Sequence, residues 1–167
     1  LEGLPLHITG LAQAAAAKGV SLPQVEETGM TPLENARLKA ECYFKLFGTP
    51  VFSCDSGLYL WNHETGKALP REEQPGVCVR GRGEVRLGDE ELLSHYIGLV
   101  RKYGQIRARY KNGVCLIWSE EIREESMEEA LWGEDFLLTD IPHSRRVEGF
   151  PLDSISIDKK CKKYFYD

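Results

Sequence analysis

A capped helix that runs directly into an apolar strand constrains the fold of this chain most. Thr31 is followed by Pro32, and Glu34 stands three residues after Thr31, which is the pattern of an N-terminal capping box. Apolar residues then recur at helical spacing up to Gly48, where the helix is predicted to end. Residues 50–52 form a short apolar run that predicts a buried strand. The sequence therefore predicts a helix–strand unit of an α/β fold.

The residues after this predicted strand form the first candidate site. Asp55, Ser56 and Gly57 are expected where the strand ends, and open α/β sheets bind ligands at the carboxyl ends of their strands. Asp55 could face a ligand or metal ion, Ser56 could donate a hydrogen bond, and Gly57 lets the backbone come close. The same three residues are also typical of a plain turn, so turn chemistry alone leaves both interpretations open.

A second amphipathic helix and a hairpin are predicted in the middle of the chain. Asp89 is the predicted N-cap of the helix, and Gly104 is predicted to close it. Two apolar runs follow, and Asn112-Gly113 between them is a strong turn signal for a hairpin. The predicted segments are hairpin strands over residues 106–110 and 114–118, strands over residues 4–8 and 136–139, a helix over residues 11–18, and a solvated helix or loop over the acidic residues 120–129.

Composition narrows the class of protein. With 167 residues, the chain is long enough for one domain with a full core. Its net charge of -5 argues against sequence-independent binding to duplex nucleic acid, but it is compatible with a phosphate ligand bridged by a metal ion. The five cysteines include no Cys-x-x-Cys pair, so we expect buried, reduced thiols in a cytoplasmic protein. No apolar run approaches the roughly 20 residues that span a bilayer, so no membrane partner is expected.

Five short motifs follow one another in order over residues 25–153. They are Glu27-Thr28-Gly29, Glu34-Asn35-Ala36-x-x-Lys39-Ala40, Asp55-Ser56-Gly57-Leu58, Pro75-Gly76-Val77 with Arg80, and Gly149-Phe150-Pro151-Leu152-Asp153. Together they resemble the inosine triphosphate pyrophosphatase family, whose members hydrolyse deaminated purine nucleoside triphosphates. The resemblance implies an α/β fold with a mixed, twisted central sheet and flanking helices, in a single domain over residues 1–167.

The resemblance also implies a reaction and a metal site. Glu27 would bind Mg²⁺, and Asp55 would bind the same ion and act as the base on the attacking water. The products of ITP, XTP or dITP hydrolysis would be the nucleoside monophosphate and pyrophosphate. Members of the family are commonly homodimers, which by analogy is the assembly we expect here.

Four further residues match positions of the family that contact the substrate. Lys39 and Ser56 resemble its substrate contacts, although Lys39 could equally be an ordinary exposed lysine of the helix. Phe150 and Asp153 match positions that stack on the purine and hydrogen-bond to it. Phe150 would be equally unremarkable as a core residue.

The chain also departs from the pattern of the family. Cys54 stands where a second aspartate is usual, and Leu152 replaces the aromatic residue of the base-binding loop. The Ser-His-Arg that follows this loop in the family has no counterpart, and the opening phosphate loop would precede Leu1, so the first strand and that loop are expected to be missing. These departures leave two alternatives to an active enzyme, a nucleotide-binding homologue with impaired catalysis and an interaction domain that reuses the fold.

Overall fold

Two long antiparallel strands form the centre of the fold. The computed structural model describes residues 7–81 and 86–167. Strand β1 (Val51–Asn62) pairs with β2 (Ile106–Ile117) along its whole length, so that Val51 lies opposite Ile117 and Asn62 opposite Ile106. The shorter strands are β3 (Arg123–Ser126) and β4 (Phe136–Leu138), which pair with β2, and β5 (Ser156–Asp158), which pairs with β4. Every strand pairing in the described part of the chain is antiparallel, so within residues 7–81 and 86–167 the sheet is not the mixed one that was expected.

The best-predicted element is the helix that precedes β1. The helices are α1 (Leu11–Lys18), α2 (Pro32–Phe47) and α3 (Asp89–Tyr103), with short 3-10 helices at Arg71–Glu73, Glu129–Leu131 and Pro151–Ser154. The backbone N–H of Glu34 donates to Thr31 Oγ1, and the Glu34 carboxylate accepts from the backbone N–H of Thr31. Gly48 ends α2 with a left-handed φ of 62°. The predicted capping box and both ends of this helix are confirmed.

The two long helices pack on opposite faces of the β1–β2 ladder. Because side chains alternate along a strand, odd-numbered residues of β1 and β2 face α2 and even-numbered residues face α3. The α2 cluster consists of Ala36, Ala40, Val51, Cys115 and Ile117. The α3 cluster is larger and includes Leu58, Leu60, Leu92, Tyr96, Ile106 and Ile155. Each helix covers a different half of the ladder.

The predicted hairpin at Asn112-Gly113 is wrong, because β2 continues straight through both residues. Its twelve residues all pair with β1, which outweighs the local turn preference of the dipeptide. Gly113 has a different function there. A Cβ atom at this position would lie 2.6 Å from the Cα atom of Leu33, so glycine lets the first turn of α2 rest on the sheet.

Other predicted elements were right in type and differ in detail. The α/β fold with flanking helices and the strand at residues 136–139 are confirmed, and the predicted helix at residues 11–18 is α1. Asp89 is the first residue of α3 instead of its cap, since Gly88 holds the N-cap position and donates to the Glu91 carboxylate. The segment at residues 120–129 contains β3, so its interpretation as a helix or loop is wrong there. The predicted strand at residues 4–8 lies mostly outside the described residues.

The cysteines differ from the expectation of buried thiols. All five are free, but only Cys115 is buried, whereas Cys54 and Cys161 are exposed. Burial raises the pKa of the Cys115 thiol to about 11. Among the described helices, none combines the length and the apolar composition that crossing a membrane requires.

Candidate active site

Helix α2 lies close to the sheet because small residues face it. Ala36 and Ala40 are completely buried against the ladder. Asn35 and Lys39 stand four residues apart, so they lie one above the other on the same side of the helix. Both side chains reach Asp55 of β1. The close seat of the helix therefore brings two polar side chains onto one carboxylate.

Asp55 lies in the middle of β1 and not at its end, which corrects the prediction from the sequence. The residues after Gly57 do not turn away but continue the pairing with β2 up to Asn62. The Asp55 side chain is only 13% exposed, with Lys39 Nζ 2.6 Å from Oδ1 and Asn35 Nδ2 3.3 Å from Oδ2. Each carboxylate oxygen thus has its own hydrogen-bond donor.

Glu27 reaches the same lysine from the loop before α2. Its Oε1 lies 3.5 Å from Lys39 Nζ, and its side chain is about half exposed. Because both carboxylates contact one nitrogen atom, their separation cannot exceed the sum of the two contact distances. That sum is below the limit of about 8 Å at which two carboxylates could still share an ion with one bridging water. The structure therefore brings Glu27, Lys39 and Asp55 together, and metal binding by the pair stays a prediction.

Ser56 lies on the other face of the sheet from Asp55, since successive side chains of a strand alternate. Its exposed hydroxyl donates to Asn112 Oδ1 at 2.8 Å, and Asn112 Nδ2 donates to the backbone oxygen of Leu131. Cys54 also belongs to that face. The cysteine at the position of the usual second aspartate therefore removes no carboxylate from the side of the sheet on which Glu27 and Asp55 meet.

Phe150 caps the 3-10 helix Pro151–Ser154, which contains Asp153 and packs on α3. Phe150 is 61% exposed, so its ring is not a core residue, whereas Leu152 is buried in the α3 cluster. Burial raises the pKa of the Asp153 carboxyl above its ordinary value. In residues 7–81 and 86–167, neither Phe150 nor Asp153 shares a hydrogen bond or ion pair with the residues around Lys39.

An ion pair anchors the loop before this 3-10 helix to α3. Arg80 donates to the backbone oxygen of Gly149 at 2.8 Å and pairs with Asp89, and the Gly149 N–H donates to the same aspartate. The Gly149 N–H and the Arg80 guanidinium together hold the pKa of Asp89 below its ordinary value. The exposed ring of Phe150 therefore projects from a loop whose backbone is fixed one residue earlier.

Sequence reasoning missed two asparagines. Asn35 is 1% exposed and contacts both Asp55 and the loop of Glu27, and its spacing to Lys39 was the available signal. Asn112 was assigned to a turn, although it holds the Ser56 hydroxyl from β2. A further pair connects α2 to β3, since Arg37 donates two hydrogen bonds to Glu125 and holds its pKa below the ordinary value.

The donor set around Lys39 fits a hard divalent ion that also binds phosphate. The part of the chain that the structure describes contains no group of three or more His, Cys, Asp or Glu side chains arranged for a metal ion. Two carboxylates do flank one cationic nitrogen, which marks a position where positive charge is favoured. Mg²⁺ commonly takes one or two carboxylates and completes its shell with waters and substrate phosphates. Glu27 and Asp55 are the residues that would hold it.

Comparisons with known proteins give the same class of fold. The sequence pattern of the Ham1 family matches residues 4–163. The Ham1 protein of Staphylococcus aureus superposes with a TM-score of 0.58 at 25% identity, covering 85% of this chain and 67% of that protein. The helix-and-sheet architecture is therefore that of the Ham1 proteins. The chain belongs to the Ham1 family, and its resemblance to inosine triphosphate pyrophosphatases is confirmed.

Curated relatives match parts of the chain. A dITP/XTP pyrophosphatase of Streptococcus agalactiae is 70% identical over 37 residues, which are 22% of this chain and 11% of that protein. A dITP/XTP pyrophosphatase of Brucella melitensis is 29% identical over 116 residues, or 65% of this chain and 49% of that protein. The chain thus spans about half, or less, of the length of these relatives.

Proposed function

We propose that this protein hydrolyses non-standard purine nucleoside triphosphates, such as ITP, XTP and dITP, to the monophosphate and pyrophosphate with the help of Mg²⁺. The observation that carries the proposal is the contact of Glu27 and Asp55 with the single ammonium group of Lys39. A carboxylate pair with a lysine between them suits a metal-bridged triphosphate, whose charge needs both the ion and the lysine. The names of the curated relatives support the substrate class.

Each residue of the group has a distinct task in this proposal. Glu27 and Asp55 would hold the ion, which would neutralise phosphate charge and orient water. Lys39 turns from the carboxylates to the phosphates and stabilises the charge that develops at the cleaved bond. Asp55 takes a proton from the attacking water as the general base.

We assign the binding of the purine base of the substrate to the segment that contains Phe150. Its exposed ring offers a face for stacking, and contacts of this kind are worth about 1–3 kcal/mol per base in other systems. Asp153, three residues before β5, is the candidate hydrogen-bond partner of the purine. A homodimer in the cytoplasm is the assembly and location that we propose by analogy with the family.

The test is pyrophosphate release by the purified protein from ITP, XTP and ATP with Mg²⁺. We expect pyrophosphate from ITP and XTP at a higher kcat/KM than from ATP, since a site built for a 6-oxo purine leaves its partners unpaired with adenine. Orthophosphate as the product, or equal use of ATP, would contradict the proposal. A protein that binds ITP without turnover would instead be the catalytically impaired homologue.

The variant Asp55→Asn tests whether Asp55 is the catalytic base that accepts the proton of the attacking water. Asparagine keeps the size of the side chain but loses the charge and the basicity, so turnover should fall by a factor on the order of 10²–10⁴. Losing the charge that pairs with Lys39 should also lower the melting temperature by several degrees, on the order of 5–10 °C, because both partners are largely buried. Asp140→Asn removes a half-exposed carboxylate whose ion pair within the described residues is with Arg101, and it serves as the control, with unchanged turnover. Wild-type turnover in folded Asp55→Asn would remove Asp55 from the catalytic role.

A further inference from the structure

We propose that Asn35 is a positioning residue that fixes Glu27 and Asp55 relative to each other. Its side chain contacts both of the elements that carry the carboxylates, the loop before α2 and strand β1. The inference rests on the proposed function, because it deepens the description of the same site. It assigns to Asn35 no contact with substrate or metal.

The hydrogen bonds of Asn35 fix the orientation of its amide. The backbone N–H of Gly29 is a donor and lies 2.8 Å from Asn35 Oδ1, so the oxygen atom must be on that side. Nδ2 is thereby turned to Asp55, where it donates to Oδ2. Because the residue is 1% exposed, water does not compete for either bond. One side chain thus joins the two elements through its two ends.

Gly29 shows how closely the loop of Glu27 is held. A Cβ atom at Gly29 would lie 2.6 Å from Asn35 Oδ1 and 2.9 Å from the backbone nitrogen of Asn35. Only a glycine lets the loop approach the amide at this distance. Glu27 precedes Gly29 by two residues, so the bond to Asn35 sets where its carboxylate can reach.

Asn35 is also the stiffer of the two donors to Asp55. Lys39 shares its ammonium group between Asp55 and Glu27, and its side chain has four rotatable bonds. When Lys39 turns to the phosphates of a substrate, Asn35 remains as the donor that holds the carboxylate plane of Asp55. A partner of this kind outside the first ligand shell typically contributes a factor of about 10–100 in metal affinity or activity.

The experiment compares Asn35→Ala with Asn62→Ala in the full chain. Asn62 is the matched control, since it also bridges two backbone segments with a part-buried amide but lies at the opposite end of β1. Alanine is a better helix former than asparagine, so Asn35→Ala does not weaken α2 itself. The readouts are kcat and KM for ITP, and the Mn²⁺ concentration at half-saturation without nucleotide, followed by the signal of free Mn²⁺.

For Asn35→Ala we expect kcat to fall about 10–100-fold with little change in KM, and Mn²⁺ binding to weaken about tenfold. Asn62→Ala should keep the wild-type kcat and Mn²⁺ midpoint, whatever it costs in melting temperature. Equal kcat and equal Mn²⁺ midpoints in the three proteins would overturn the proposal. The proposal would also be overturned if the fall in kcat of Asn35→Ala were fully explained by the fraction of the variant that is unfolded.

A second variant keeps the proposal testable if Asn35→Ala does not fold. Asn35→Asp retains the volume and the acceptor for Gly29 but turns a carboxylate to Asp55, so kcat should still fall at least about tenfold. A wild-type kcat in Asn35→Asp would contradict the role. If the wild-type protein releases no pyrophosphate, the proposed function fails and the Mn²⁺ titration alone decides on Asn35. A wild-type protein without either property would overturn both.

Discussion

The two halves of the β1–β2 ladder are built from the same pairing but packed in opposite ways. In the half with Val51 and Ile117, α2 lies on one face through small residues, and a buried asparagine and a partly buried lysine accompany them. In the half with Leu60 and Ile106, α3 lies on the other face through large apolar side chains. The α2 half thus has a cluster of polar side chains next to a small apolar contact. The α3 half contains most of the hydrophobic core.

The difference separates the source of stability from the source of the proposed chemistry. Large buried side chains contribute most of the hydrophobic free energy, because that free energy grows with the apolar area removed from water. Small residues under α2 contribute less of it, but they set the distance at which Asn35 and Lys39 meet Asp55. We therefore expect substitutions that shorten a side chain to be most damaging in the α3 half. Substitutions that add atoms should be most damaging in the α2 half.

The largest effect is expected from Leu60→Ala in the α3 cluster. Leu60 is completely buried, and deleting a buried leucine side chain typically costs about 2–5 kcal/mol, including the cavity left behind. Denaturant unfolding should show this loss, whereas kcat per folded molecule should remain within about twofold of the wild type, because α2 and Asp55 are untouched.

Leu116→Ala is the matched control for this measurement. Leu116 points to the same face of the ladder as Leu60 but lies in the half that α3 does not cover, where it is only partly buried. Leu116→Ala should lower the free energy of unfolding by only about 1 kcal/mol. Equal losses at the two positions would contradict the assignment of the main core to the α3 half.

The sequence predicts the α2 unit well because its signals are local. The capping box, the helical spacing and the terminal glycine act within a few residues, so Thr31, Glu34 and Gly48 suffice to place the helix. The order of motifs from Glu27 to Asp153 also predicts the family. What they could not predict is that β1 continues beyond Asp55, since pairing with a strand about 50 residues away decides this.

Gly113 illustrates the same limit from the other side. Together with Asn112, Gly113 predicts a turn, because the local preferences of these two residues favour a turn. In the structure the need for glycine comes from the backbone of α2, which lies against it. Likewise, the face to which Ser56 points depends on the register of β1, and nothing in its immediate sequence fixes that register.

The next effect is expected from Gly113→Ala, which adds one methyl group beneath α2. The new Cβ would overlap the backbone at Pro32 and Leu33, so the first turn of the helix must move. We expect a loss of about 1–3 kcal/mol in stability and a fall in kcat of up to about 100-fold, as Asn35 and Lys39 shift from Asp55. Unchanged turnover in the folded variant would show that the close seat of α2 is not needed for activity.

The smallest effect, and one of opposite sign, is expected from Gly98→Ala in α3. Gly98 lies within this helix on its exposed side, and a Cβ atom there would meet nothing within 4 Å. Alanine restricts the unfolded chain more than glycine does, so the free energy of unfolding should rise by about 0.5–1 kcal/mol. The melting temperature should then rise by about 1–4 °C, with kcat for ITP unchanged. Because the same methyl group is added under α2 and on α3, a stabilised Gly98→Ala beside an impaired Gly113→Ala would attribute the loss to the crowded contact and not to the substitution. A destabilised Gly98→Ala would contradict the contrast between the two halves.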